Sequence, residues 1–149
     1  MSGPTIMEDI VPMLISAACG TALGFERQAG NKPAGLRTHT LVCLGSTLFV
    51  LTARHATLLA TDQNFDPTRI IHGIVTGVGF LGAGSILRHE GLVLGLTTAA
   101  SIWMVAAIGS AVGVGAYPLA VVGTVLALIV LRLYRMVDRW LAGSDEVEP

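Results

Sequence analysis

Charged residues are the scarcest class in this sequence. Only 13% of its 149 residues are Asp, Glu, Lys or Arg, whereas a soluble domain usually carries about 25%, because its surface must be wetted. The few charges cluster between long apolar runs. This shortage excludes an ordinary soluble domain and indicates that lipid surrounds most of the chain.

Cysteine is nearly absent as well. The two cysteines, Cys19 and Cys43, lie inside apolar runs, which excludes a disulfide framework or a cysteine metal site and predicts packing residues. The four histidines lack ligand spacing, and no nucleophile lies beside a base. The sequence therefore predicts neither a cofactor nor an enzyme, and the formal net charge of −1 predicts no nucleic-acid partner.

Five apolar runs dominate what remains, at residues 10–25, 38–53, 70–87, 96–114 and 117–131. Each approaches the ~20 residues that a membrane-spanning helix needs, and none alternates as a barrel strand does. Only a Gly- and Pro-containing stretch, 113–118, separates the last two, so four helices are the alternative. The prediction is an all-α, polytopic membrane helix bundle of about five transmembrane helices over residues 1–141, with a short acidic disordered tail at 142–149.

Basic residues predict how this bundle is oriented. Two arginines, Arg54 and Arg69, follow the second run. The other seven basic residues follow the first, third and fifth runs: Arg27, Lys32, Arg37, Arg88, Arg132, Arg135 and Arg139. Because Lys and Arg accumulate in cytoplasmic loops, the N-terminus is predicted outside and the C-terminus in the cytoplasm.

Glycines are frequent in the third run. Residues 77–82 fit the G-x-G-x-x-G dinucleotide pattern, but the required strand and the acidic residue about 20 positions later are missing. The glycines are predicted instead to let neighbouring helices approach closely, so that leucine at Gly77 would force helices apart. The alternative is that the run unwinds there and presents carbonyl groups to a cavity. The predicted packing glycines are Gly20, Gly24, Gly73, Gly77, Gly79, Gly82 and Gly84.

Polar residues at the ends of the runs have two interpretations each. Glu26 and Arg37 flank the first loop, either as interfacial anchors or as an ion pair that joins two helices within a site. Asp66, directly before a proline, is expected to cap the third helix, or else to bind a metal ion. Thr97 and Thr98 are expected to cap the fourth helix or to bond to a neighbouring helix.

Five motifs occur in order along the chain, at residues 24–27, 32–39, 66–69, 77–84 and 95–99. In this combination the sequence resembles the MgtC/SapB family of bacterial inner-membrane proteins, from the first helix to the fourth. The resemblance implies a role in magnesium homeostasis and, in pathogens, in survival inside host cells. The candidate functional cluster comprises Glu26, Arg27, Lys32, Arg37, Thr38, His39, Asp66, Arg69, Arg88, Thr97 and Thr98.

The resemblance leaves two functions open: a protein that regulates or binds other membrane machinery, and a transporter or channel for Mg²⁺. All ten acidic residues lie at run ends, in loops or in tails, which disfavours a divalent-cation carrier. Glu26 and Asp66 are the candidate Mg²⁺ ligands. The expected partners are the lipid bilayer and either a second copy of the chain or another membrane protein complex. Many family members carry a soluble C-terminal domain, whose function does not transfer to this short tail.

Overall fold

The computed structural model describes residues 6–59, 68–89 and 92–142, and the side chains of residues 7–57, 68–86 and 92–137. Its helices are α1 (Ile6–Ala29), α2 (Leu36–Leu59), α3 (Thr68–Gly84), α4 (Leu96–Gly113) and α5 (Tyr117–Ala142). The predicted bundle of five helices is confirmed. The predicted cap at Asp66 and the predicted disordered tail fall outside the described residues, apart from Ala142 at the end of α5.

A small hairpin, which the sequence pattern did not predict, joins α3 to α4. Strands β1 (Leu87–His89) and β2 (Leu92–Leu94) pair antiparallel, with Arg88 opposite Val93. Three-residue strands are too short to show an alternating pattern. Gly95 follows with a φ of 89°, and a Cβ there would collide with the carbonyl oxygen of Ser85. The turn into α4 therefore requires glycine.

Four helices (α1, α2, α4 and α5) are long and apolar enough to cross a membrane. Helix α3 has 17 residues, which is at the lower limit of about 17 for a crossing. Between α4 and α5 the chain turns at Gly115, whose φ is 82°. The separate fifth helix is therefore confirmed, and the four-helix alternative is wrong.

Helix α4 lies at the centre of the bundle, in contact with the other four helices. Its sequence is apolar on every side, as is typical of a buried helix. The main core joins Leu23 of α1, Cys43 of α2 and Val105 of α4. Both cysteines are buried and unpaired, as predicted. Helices α3 and α5 pack on the outside of this core, α5 against α1 and α4, and α3 mainly against α4.

Close helix crossings depend on glycine at four positions. A Cβ on Gly20 would lie 2.8 Å from the Cβ of Cys43, and one on Gly24 would lie 2.7 Å from the Cα of Leu36. These two predicted glycines therefore lie where α1 crosses α2. Their counterparts where α4 crosses α2, Gly109 and Gly113, were not predicted, although they form a G-x-x-x-G pair.

The glycines of α3 behave differently from the prediction. A Cβ on Gly73, Gly77, Gly79 or Gly84 would have no atom within 4 Å, and one on Gly82 would lie only 3.6 Å from Ala99. Helix α3 packs mainly on α4 and touches α2 only sparsely, so these four glycines have no close neighbour among the described residues. Close packing within this chain therefore does not explain those four glycines. The alternative of an unwound segment is wrong too, because α3 is continuous.

Candidate functional site

Five polar side chains are buried at the end of the bundle where α1 finishes and α2 and α4 begin. They are Glu26 (2% exposed), Arg27 (3%), His39 (0%), Thr98 (2%) and Ser101 (4%). Burying so many polar groups is costly unless they bond to one another. We call these residues, together with Arg135 of α5, the buried polar cluster.

An ion pair joins α1 to α5 in this cluster. The Arg135 Nη2 donates to Oε1 of Glu26 at 2.5 Å and to its main-chain oxygen at 3.4 Å. The predicted pairing of Glu26 with Arg37 is wrong, since Arg37 is exposed. Residues two apart on a helix do not share a face, so α2 directs His39 inward and Arg37 outward.

Arg27 joins α1 to α4. Its Nη2 donates to the Oγ1 of Thr98 at 3.0 Å, a bond strengthened by the positive charge. Among the described residues, Nε of Arg27 and Oε2 of Glu26 have no hydrogen-bond partner. The cluster contains one carboxylate and two guanidinium groups, so it has an excess positive charge even with His39 neutral.

His39 joins α2 to α4 through a relay of hydrogen bonds. Its Nδ1 lies 3.0 Å from the carbonyl oxygen of Gly35, and its Nε2 lies 3.0 Å from the Oγ of Ser101. A carbonyl only accepts, so Nδ1 carries a proton. In a neutral imidazole, Nε2 accepts from the Ser101 hydroxyl. In an imidazolium it donates, and the hydroxyl donates to the Thr98 carbonyl oxygen 2.8 Å away.

The structure gathers only part of the predicted functional cluster. Glu26, Arg27, His39 and Thr98 come together. The remaining described residues do not join them: Lys32, Arg37, Arg69 and Thr97 are exposed, and Thr38 is half-buried. Asp66 and the side chain of Arg88 lie outside the described part of the chain.

Two members of the cluster, Ser101 and Arg135, were not among the predicted site residues. A helical pattern on α5 contained a signal for Arg135. The side chains of Ala120 and Thr124 are buried and that of Leu131 is half-buried. Their spacing of four and seven residues, which keeps side chains on one face of a helix, continues to Arg135. The arginine at this position therefore extends the inward-facing stripe of the helix.

Replacing Thr98 tests how much the bond from Arg27 contributes. Thr98→Val keeps the shape of the side chain but removes the acceptor, and we expect a loss of about 1.5–3 kcal/mol in the free energy of unfolding in detergent. The neighbouring Thr97→Val is the control, because an exposed substitution should change stability by no more than about 0.5 kcal/mol. Equal losses would contradict the assigned bond.

An ion pair and a hydrogen bond join α1 to α2 at the opposite end of the bundle. Nη2 of Arg54 lies 3.2 Å from Oε2 of Glu8, and Nε2 of His55 lies 2.9 Å from Oδ2 of Asp9. All four side chains are partly exposed.

In the part of the chain that the structure describes, no group of three or more His, Cys, Asp and Glu side chains is placed to hold a metal ion.

Comparisons with known proteins identify the family. A model of the MgtC family matches residues 13–140. YhiD of Escherichia coli (strain K12) is 46% identical over 93% of this chain and 66% of its own length. SrpB of Synechococcus elongatus is 39% identical over 90% of this chain and 80% of its own. MgtC of Brucella abortus (strain 2308) is 42% identical over 83% of this chain and 53% of its own.

The chain thus matches between about half and four fifths of the length of these relatives. No solved structure matches it. The family match covers every helix that builds the buried polar cluster, and the apolar helices mark a multi-pass membrane protein. The chain therefore belongs to the MgtC family.

Proposed function

We propose that this protein is a non-enzymatic component of magnesium homeostasis in the bacterial inner membrane, and that it acts by binding and regulating other membrane machinery. The link to magnesium comes from a relative, YhiD, whose name describes it as a putative magnesium transporter. The end that holds Arg27, Lys32 and Arg37 faces the cytoplasm in this proposal, following the positive-inside rule.

One observation supports regulation over transport. Each acidic side chain that the structure describes is already paired with a basic one: Glu8 with Arg54, Asp9 with His55, and Glu26 with Arg135. A path for a divalent cation is lined with oxygen ligands that replace its water. Each of these carboxylates instead has one oxygen bonded to a side chain of another helix, so each of them joins two helices.

Helix α5 is the least covered of the four candidate membrane spans, so its surface is the one most available for contact with another membrane protein. Its large apolar side chains are exposed along much of the helix, including Leu119, Val122, Leu126, Ile129 and Leu133. A photo-crosslinker at Leu126 should therefore capture one defined membrane protein in intact membranes, whereas the same crosslinker at the buried Val112 should not. Capture of only lipid at both positions would count against the proposal.

Transport of Mg²⁺ is the second candidate, and a flux measurement separates the two. In proteoliposomes, we expect Mg²⁺ flux equal to that of empty vesicles for the wild type, Glu26→Gln and Asp66→Asn alike. Flux well above the empty vesicles that falls in either variant would overturn regulation and establish transport.

A further inference from the structure

A long apolar groove lies between α2 and α3, where the two helices touch only sparsely. Its volume is about 590 Å³, within the range of about 300–1,000 Å³ typical of ligand pockets. Its apolar walls include Leu41, Val42 and Phe49 of α2 and Ile70, Ile74 and Leu81 of α3. Gly45, Gly73 and Gly77 also line it, and a Cβ on any of them would have no atom within 4 Å.

Among the residues that the structure describes, one charged side chain lines this groove. Arg69, in the first turn of α3, is exposed and forms no ion pair with any residue that the structure describes. A guanidinium group is well suited to bind a phosphate through two parallel hydrogen bonds. An apolar groove with a cation at its end therefore matches an amphiphile with an anionic head.

The length of the groove fits a lipid chain better than a partner helix. From Arg69 to Leu81 it follows α3 for about 18 Å, at 1.5 Å per residue. The ~30 Å hydrocarbon core consists of two leaflets, so this length is slightly more than one leaflet. A partner helix that crosses the bilayer would need a contact surface along the full ~30 Å, whereas the groove extends along about one leaflet.

We propose that the groove binds one acyl chain of an anionic phospholipid, with the phosphate of that lipid on Arg69. The acyl chain would enter the groove from the surrounding bilayer. The bound lipid would fill the space that the glycines of α3 leave open. This inference does not depend on the regulatory function proposed above.

Native mass spectrometry tests the proposal on the full chain, purified in mild detergent and incubated with equimolar phosphatidylglycerol and phosphatidylethanolamine. The wild type should retain one phospholipid, mainly phosphatidylglycerol. Gly77→Leu places a side chain in the groove and should weaken the affinity for the lipid about tenfold, which corresponds to the loss of about two methylene contacts. Arg69→Gln should abolish the preference for phosphatidylglycerol while leaving some lipid bound.

Gly79→Leu is the matched control, since it makes the same change on the same helix outside the groove and also meets no atom within 4 Å. It should bind lipid as the wild type does. Gly45→Leu fills the groove from the opposite wall and should show the same loss of lipid affinity. It replaces Gly77→Leu in the test if circular dichroism shows that Gly77→Leu does not fold. Equal lipid retention by Gly77→Leu, Gly45→Leu and Gly79→Leu would overturn the proposal. A second outcome would also overturn it: if Gly77→Leu changed the mass of the oligomer but kept its lipid, the groove would be occupied by a second copy of the chain and not by a lipid.

Discussion

Glu26→Ala is expected to lower the free energy of unfolding by about 3–5 kcal/mol, the usual cost of removing one partner from a buried ion pair. The carboxylate of Glu26 compensates two guanidinium groups, Arg135 through a direct bond and Arg27 beside it in the chain. Its removal leaves the buried Arg27 without a compensating charge and Arg135 only partly accessible to water. Denaturation in mixed micelles, followed by circular dichroism, measures the loss.

Glu8→Ala is a matched control on the same helix. Glu8 also pairs with an arginine, Arg54, but both side chains are about half exposed. Exposed pairs contribute about 0–1 kcal/mol because water already solvates each partner. Losses of similar size in the two variants would show that burial of Glu26 does not raise the free-energy cost of removing the carboxylate from its ion pair.

Gly109→Ala is expected to destabilise the bundle by about 3 kcal/mol, near the upper end of the usual cost of overpacking. A Cβ at this position would collide with the carbonyl oxygen of Cys43 where α4 crosses α2. The Thr47 hydroxyl donates to the Gly109 carbonyl oxygen at 2.7 Å, which helps to hold the two backbones together. The same micelle denaturation should show an earlier transition and a lower folded yield.

Gly79→Ala tests whether this loss comes from the crossing or from the change to alanine itself. Gly79 lies within α3, and a Cβ there would have no atom within 4 Å. Because alanine favours a helix over glycine by about 1 kcal/mol, this variant should be as stable as the wild type or slightly more stable. A destabilised Gly79→Ala alongside an unaffected Gly109→Ala would refute the assigned crossing.

Much of the fold could be predicted from the apolar runs. The five predicted runs correspond to the five helices, and the break at residues 113–118 is a turn. The ends of the helices were predicted less accurately than their number. Helix α2 continues to Leu59 and α5 to Ala142, because a helix extends past the apolar stretch into its polar flanks. The hairpin between α3 and α4 had no pattern long enough to detect.

The candidate site was predicted in part, for reasons of distance along the chain. Glu26, Arg27 and His39 were candidates because they lie together beside one loop, and Thr98 because it begins a helix. The partner of Glu26 lies 109 residues away, and three arginines near the end of α5 were equally plausible from composition. Nothing local distinguishes Arg135 except its place on the inward stripe of α5.

The sequence by itself determined that this protein is embedded in a lipid bilayer and crosses it with several helices. It also determined which family the protein resembles. Those properties follow from composition and from the spacing of residues along one helix. Only the tertiary structure decided which charges pair, which glycines lie at crossings and where a groove remains. Such features depend on which faces of distant helices meet, because burial and Coulomb energies act through space rather than along the chain.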